Sequence, residues 1–173
     1  MLNVKTAKHE DLIELANFVN SAYRGETSKV GWTTEADLLG GQRTDPDLLQ
    51  TYIQGKDQVI LLFLKEEKIQ GCVYLRNENP VVYLGMLTVD PDLQRSGIGK
   101  YILQFTQTWA KENWKSKIMR MTVISVRKEL IDWYVRKGFS LTNEKEKFPY
   151  GDERFGIPKR QDLEFVVLKK NLD

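Results

Sequence analysis

With 173 residues the chain has room for one domain with a substantial core and is short for two, so a single domain over residues 1–173 is the expectation. Its 26 basic and 24 acidic side chains leave a formal net charge of +2, which removes the general electrostatic case for a nucleic-acid or membrane partner. The one cysteine, Cys72, excludes an intrachain disulfide or a cysteine metal cluster, and no apolar run approaches the roughly 20 residues of a membrane span.

A short strand is expected around Leu2 to Lys5, then a helix whose apolar residues Leu12, Leu15, Ala16, Val19 and Tyr23 recur at helical spacing, with Glu10 and Asp11 suited to its first turn. After the polar stretch Arg24 to Gly31, Thr34-Glu35-Ala36-Asp37 has the form of a capping box, predicting a short helix ended by Gly40-Gly41. A third helix begins at Asp45-Pro46, buries Leu48, Leu49, Tyr52 and Ile53, and stops at Gly55. Val59 to Leu64 and Ile69 to Leu75 form a hairpin across the charged turn Lys65-Glu66-Glu67-Lys68.

Val81 to Val89 is almost continuously apolar, as expected of a strand buried on both faces, and Ile118 to Val126 reads the same way. Ile98, Ile102, Phe105 and Trp109 give the helix between them one apolar stripe, which makes a β-α-β unit. A further helix from about Glu129 to Lys137 carries Leu130, Trp133 and Tyr134 and ends at Gly138. Strands near Phe139 to Thr142 and Leu163 to Leu168 close the chain, separated by a Gly- and Pro-rich loop from Phe148 to Pro158. The result is an α/β chain built on a mixed sheet flanked by helices.

Gln94-Arg95-Ser96-Gly97-Ile98-Gly99 stands between the Val81–Val89 strand and the helix that follows. Two glycines let the backbone come close to a ligand, and the first amides of a helix point outward as donors that suit phosphate oxygens. Two familiar phosphate registers fail. A Walker A loop would need glycine at Gln94 and Ser or Thr at Tyr101, and a dinucleotide fingerprint would need glycine at Ile102.

What remains, Gln-x-x-Gly-x-Gly followed downstream by Tyr134-Val135-Arg136-Lys137-Gly138-Phe139, resembles the GNAT superfamily of N-acetyltransferases over nearly the whole chain. The resemblance implies that the Gln94–Lys100 turn holds the pyrophosphate of acetyl-CoA through the amides from Arg95 to Lys100, Ser96, Gly97, Ile98 and Gly99 included. Arg95 and Lys100 add charge. It also implies that backbone groups of Leu87 and Val89 pair with the pantetheine arm, and that Tyr134 protonates the departing thiolate, general-acid chemistry that suits a phenol. At one place the chain departs from the family: Arg127-Lys128-Glu129 stands where many members carry an asparagine toward the pantetheine.

Transfer from a thioester to an amine needs a neutral amine, a donor for the developing oxyanion and a proton for the sulfur, and no covalent enzyme intermediate. Glu35, Asp37, Glu78, Asp152 and Glu153 are conceivable bases through a water, each more simply read as a cap or surface charge. Cys72 reads as a small buried hydrophobe and His9 as a surface residue, which leaves no metal site. By resemblance the Gly31–Asp45 region and the Phe148–Pro158 loop flank the acceptor, with Trp32, Tyr150 and Phe155 as walls and Arg43 or Arg154 as a hold for an anionic group.

The expected function is acetyl-CoA-dependent N-acetylation of a primary amine on a small molecule or peptide. The alternative is a CoA-binding sensor or interaction module of the same fold without transfer. The polar start Met1-Leu2-Asn3-Val4-Lys5 lacks a signal-peptide core, so a cytoplasmic location is expected, and the resemblance allows a homodimer.

Overall fold

In the computed structural model, which describes residues 1–173, the chain runs through β1 (Asn3–Thr6), α1 (Leu12–Tyr23), α2 (Gly25–Ser28), β2 (Leu39–Gly40), α3 (Pro46–Gln54), β3 (Gln58–Lys65) and β4 (Lys68–Glu78). It continues through β5 (Val81–Val89), α4 (Ile98–Trp114), β6 (Ile118–Ile124), α5 (Lys128–Arg136), β7 (Ser140–Lys147), β8 (Ile157–Pro158) and β9 (Glu164–Asn171). Seven strands form one mixed sheet in the order β1-β3-β4-β5-β6-β9-β7, while β2 and β8 pair on their own. Only β5 and β6 run parallel. A parallel pair needs a crossover, and α4 supplies it.

The strand β3 shows why helices cover both faces of this sheet. Val59, Leu61 and Phe63 enter the core beneath α4 and α5, whereas Ile60, Leu62 and Leu64 enter the core beneath α1 and α3. An uninterrupted apolar run read at period two needs a partner layer on each side. Each fully buried leucine, such as Leu61 or Leu62, contributes roughly 1.5–3 kcal/mol of transfer free energy.

Three expectations are corrected. Thr34–Asp37 opens no helix: the Thr34 hydroxyl accepts from the Ala36 amide at 3.1 Å in a local turn, and Glu35 is buried in an ion pair rather than capping anything. The final hairpin is longer than its apolar pattern. β7 runs to Lys147 through its backbone ladder with β9, and Lys145–Glu164 and Lys169–Glu144 pairs, both 2.8 Å, with an Arg120–Glu146 contact, link its charged side chains to the neighbouring strands. Such a charged edge also resists pairing with another chain. Last, β5 alternates between buried and half-buried residues instead of being covered on both faces. The reason lies in the opening described below. No helix is long and apolar enough to cross a membrane.

Candidate active site

One backbone irregularity creates the site. Met86 takes a φ of 52°, and the β4–β5 register passes from Tyr74↔Gly85 to Cys72↔Thr88, so two β5 residues face one β4 residue. A bulge shifts the side-chain phase by one. Val82 and Leu84 therefore face the core beneath α4 and α5, Met86 faces the opposite core, and Leu87 and Val89 return to the α4–α5 side. The bend also parts β5 from β6. Their pairing ends at Tyr83↔Arg120, although β5 continues to Val89 and β6 to Ile124.

Two cavities occupy the opened seam, one of about 360 Å³ and one of about 280 Å³. Tyr23, Leu87, Arg127, Leu130 and Tyr134 line both, so these residues form the wall where the cavities meet.

The first cavity is bounded by the turn into α4. A single helical turn at Pro91–Leu93 leads into Arg95 at φ 68° and Gly97 at φ 92°, and Gly97 stands at the N-cap of α4. A Cβ on Gly97 would meet nothing within 4 Å, so the backbone conformation, not crowding, requires glycine there. The Tyr101 amide is the first satisfied within α4, by the Gly97 carbonyl at 3.0 Å, and the Ser96 amide is engaged by Leu93 at 3.3 Å. The amides of Arg95, Gly97, Ile98, Gly99 and Lys100 have no acceptor in the protein. Arg95, Lys100, Arg136 and Lys137 add cations around the same cavity, against the single carboxylate of Glu129. Free amides at a helix start under a basic rim fit a pyrophosphate.

The Gln94 side chain faces the neighbouring loop. Its Oε1 accepts from the Trp32 amide at 2.8 Å and the Thr33 amide at 3.3 Å, while its Nε2 donates to the Thr33 hydroxyl at 2.7 Å. Gln94 thus fixes the roof of the cavity, and its carboxamide is a positioning group. Trp32 lines this first cavity, its ring 6.3 Å from that of Trp133.

At the shared wall, T-shaped contacts with Trp133 at 5.0 Å and Phe139 at 5.7 Å fix the Tyr134 ring. Burial, reinforced by nearby Tyr23, holds the Tyr134 phenol well above its ordinary value, so it carries its proton at neutral pH. Tyr23 donates its own hydroxyl to the Leu87 carbonyl, which ties α1 to the segment just past the bulge.

The second cavity is framed by a buried ion triad. Glu35 accepts from Arg24 at 2.9 Å and from Arg127 at 3.1 Å, with side chains 9%, 4% and 11% exposed respectively. Arg24 also donates to the Phe155 carbonyl at 3.0 Å and Arg127 to the Thr33 carbonyl, so three loops converge on one carboxylate. Burial opposes the charge on Glu35, but Arg127, Arg24 and Arg43 outweigh it and hold the carboxyl below the usual range. Arg127 accordingly fastens the start of α5 across the cleft.

Of the residues expected from sequence, Leu87, Val89, Gln94, Arg95, Gly97, Gly99, Lys100, Trp32 and Tyr134 gather around the first cavity. Arg43 and Phe155 line the second. Tyr150 lines neither: its hydroxyl accepts from the Leu163 amide at 2.8 Å and donates to the Arg160 carbonyl at 3.2 Å, pinning its own loop. Arg154 pairs with Asp152 outside both cavities. Ser96 is exposed and bonds back to Leu93, and Ile98 packs against the core. Sequence reasoning missed Tyr23, Arg24, Arg136, Lys137 and the role of Glu35; the helical stripe carrying Tyr23 and the basic end of α5 were the available signals.

A mixed sheet pried open by a bulge, with a cradle of free amides on one side and a second cavity across the wall, is the build of an acyltransferase. The family model for the acetyltransferase (GNAT) domain matches residues 32–150, and the chain belongs to that family of acetyl-CoA-using enzymes. It is an acetyltransferase. No curated protein matches the chain. An N-acetyltransferase from Staphylococcus aureus Mu50 is similar in structure, with 15% identity, a TM-score of 0.72, and coverage of 99% of this chain and 98% of that one. The ribosomal-protein-S18-alanine N-acetyltransferase from Escherichia coli gives 13% identity and a TM-score of 0.68, covering 100% of this chain and 95% of that one. A Bacillus anthracis protein solved in complex with acetyl coenzyme A gives 22% identity and a TM-score of 0.57 over 72% of this chain and 68% of that one. At these identities the likeness is one of fold.

Proposed function

We propose that this enzyme transfers the acetyl group of acetyl-CoA directly to a primary amine of a small molecule or peptide, with the donor in the first cavity and the acceptor in the second. The observation that carries this reading is that the two cavities meet at one wall, formed by Leu87 and Tyr134 among others. The free amides from Arg95 to Lys100 would hold the pyrophosphate, and the basic rim would take the remaining phosphate charge. Leu87 and Val89 would flank the pantetheine arm.

Tyr134 would give its proton to the departing sulfur, and its raised pKa would keep that proton in place until negative charge develops beside it. Glu35 is a poor base, because both its oxygens are clasped by arginines and its carboxyl is held below the usual range. Cys72 is fully buried, and burial pushes its thiol up to about 12, which argues against a covalent acyl-enzyme and for direct transfer.

Thiol release from acetyl-CoA, followed over a panel of primary amines with the wild type and Tyr134→Phe, tests the assignment. The expected result is release with at least one amine, and a kcat about a hundredfold lower in the variant with little change in KM for acetyl-CoA. CoA binding without release on any amine, indifferent to Tyr134→Phe, would refute transfer and leave a CoA-binding module.

A further inference from the structure

We propose that the acceptor carries an anionic group, a carboxylate or phosphate, in addition to its amine, and that Arg43 is the residue that binds it. This rests on the transferase reading above and concerns the acceptor cavity alone.

A third cavity, also of about 280 Å³, continues the second along β4 and β5, and the two share Arg43, Tyr52, Tyr83, Gly85, Met86 and Glu146. Five arginines line this combined chamber: Arg24, Arg43, Arg76, Arg120 and Arg127. Four of them have carboxylate partners. Arg24 and Arg127 hold Glu35, Arg76 holds Glu78, and Arg120 holds Glu146.

Arg43 is the exception. No carboxylate or carbonyl of the protein accepts from its guanidinium, yet the residue is not loosely placed. Its backbone amide donates to Asn20 Oδ1 at 2.7 Å, the next amide donates to the same oxygen at 3.0 Å, and the guanidinium lies 5.8 Å from the centre of the Tyr23 ring. Tyr23 itself belongs to the wall between donor and acceptor cavities. A planar fork of donors is therefore presented, without a partner, beside the place where the amine must arrive. Such a fork matches a carboxylate or phosphate with two parallel hydrogen bonds.

The chemistry of the amine points the same way. An ammonium ion entering a chamber with surplus positive charge has its pKa lowered, which raises the fraction of neutral amine able to attack. A polycation finds the lining carboxylates Glu35 and Glu146 already paired and meets the uncompensated charge of Arg43. An amine tethered to an anion is drawn in by Arg43 while its nitrogen experiences the same deprotonating field.

The test compares thiol release for matched amines: butylamine as the neutral-chain reference, putrescine as the dication, and glycine, β-alanine, γ-aminobutyrate and aminopropylphosphonate as anion-bearing amines of different reach. For the wild type, kcat/KM is expected to be at least about tenfold higher for the best anion-bearing amine than for butylamine, and lowest for putrescine. The carboxylate and phosphonate arms decide which anion the site takes. Arg43→Ala is expected to lower the ratio of anionic to neutral kcat/KM by about tenfold or more, with Arg43→Lys retaining part of it, while calorimetry gives the wild-type affinity for CoA because Arg43 lies outside the first cavity. A best acceptor that is putrescine or butylamine, or a preference untouched by Arg43→Ala, would overturn this inference and leave the transferase reading standing. No release with any amine would overturn the transferase reading itself, and this inference with it.

Discussion

Replacing Glu35 by glutamine keeps the size of the side chain and removes its charge, leaving two guanidiniums at the wall of the second cavity with no carboxylate between them. At an effective dielectric near 20, each ion contact at about 4 Å is worth roughly 4 kcal/mol before desolvation is subtracted. Breaking a buried pair by removing one partner costs roughly 3–5 kcal/mol, because the remaining charge is uncompensated. Here Arg24 keeps the Phe155 carbonyl and Arg127 keeps the Thr33 carbonyl, which favours the lower end. A loss of about 3 kcal/mol corresponds to a melting temperature lower by roughly 6–12 °C for a domain of this size. Urea denaturation over a pH series supplies a second check. The folded-state pKa of Glu35 is depressed below its ordinary 4.5, so its contribution is complete above that value and disappears as pH falls through the folded-state pKa. The gap between wild type and Glu35→Gln is therefore full at neutral pH and closes in acid. Equal urea midpoints at neutral pH, or a gap that persists in acid, would refute the clasp. Loss of kcat at unchanged stability would instead make Glu35 the base.

Three further outcomes follow from the same geometry. Gly99→Val should leave the fold intact, since a Cβ there would sit at ordinary contact distance, 3.6 Å, from Trp133 and Val89, but its methyls enter the donor cavity. Calorimetry should show CoA affinity reduced by about tenfold or more, a cost of about 1.4 kcal/mol, and unchanged affinity would remove the turn from the donor site. Gln94→Ala removes the acceptor for the Trp32 and Thr33 amides and should destabilise the fold by about 1–3 kcal/mol in urea while raising KM for acetyl-CoA; a variant identical to wild type in both would show that the loop holds itself. Cys72 should resist thiol reagents at neutral pH until the protein is denatured, because it is buried and its thiol is pushed up to about 12; rapid labelling of the native protein would contradict that burial.

Much of this architecture is legible because its causes are local. The capping of α3 by Asp45, whose side chain accepts from the Leu48 amide at 2.8 Å, the stop at Gly55, and the left-handed Gly138 at φ 93° after α5 are each dictated by a few neighbouring residues. The Gln94–Lys100 turn is legible for the same reason. The bulge at Met86 is not: methionine has no preference for positive φ, and only the three-dimensional structure shows Leu84 and Met86 entering opposite cores. Within the Thr34–Asp37 pattern, Glu35 turns inward to Arg24 and Arg127, the latter 92 residues away, and no local spacing announces a partner at that distance. The placement of β9 between β6 and β7 likewise depends on long-range pairing.

Arg127, in the stretch where the chain departs from the family resemblance, has a physical consequence of its own. The segment from Trp32 to Glu35 is gripped from two directions: Gln94, at the start of the donor turn, holds the Trp32 and Thr33 amides, and Arg127, at the start of α5, holds the Thr33 carbonyl and the Glu35 carboxylate. α5 is also the helix that carries Tyr134. The turn into α4, the helix carrying Tyr134 and the Glu35 clasp of the second cavity are thereby braced against one short stretch of chain. Side chains held by such contacts are preorganised for a transfer that needs all three at once. An asparagine at position 127 would be too short to join α5 to the carboxylate shared with Arg24, so the reach of the arginine is what fixes the two halves of the cleft against each other.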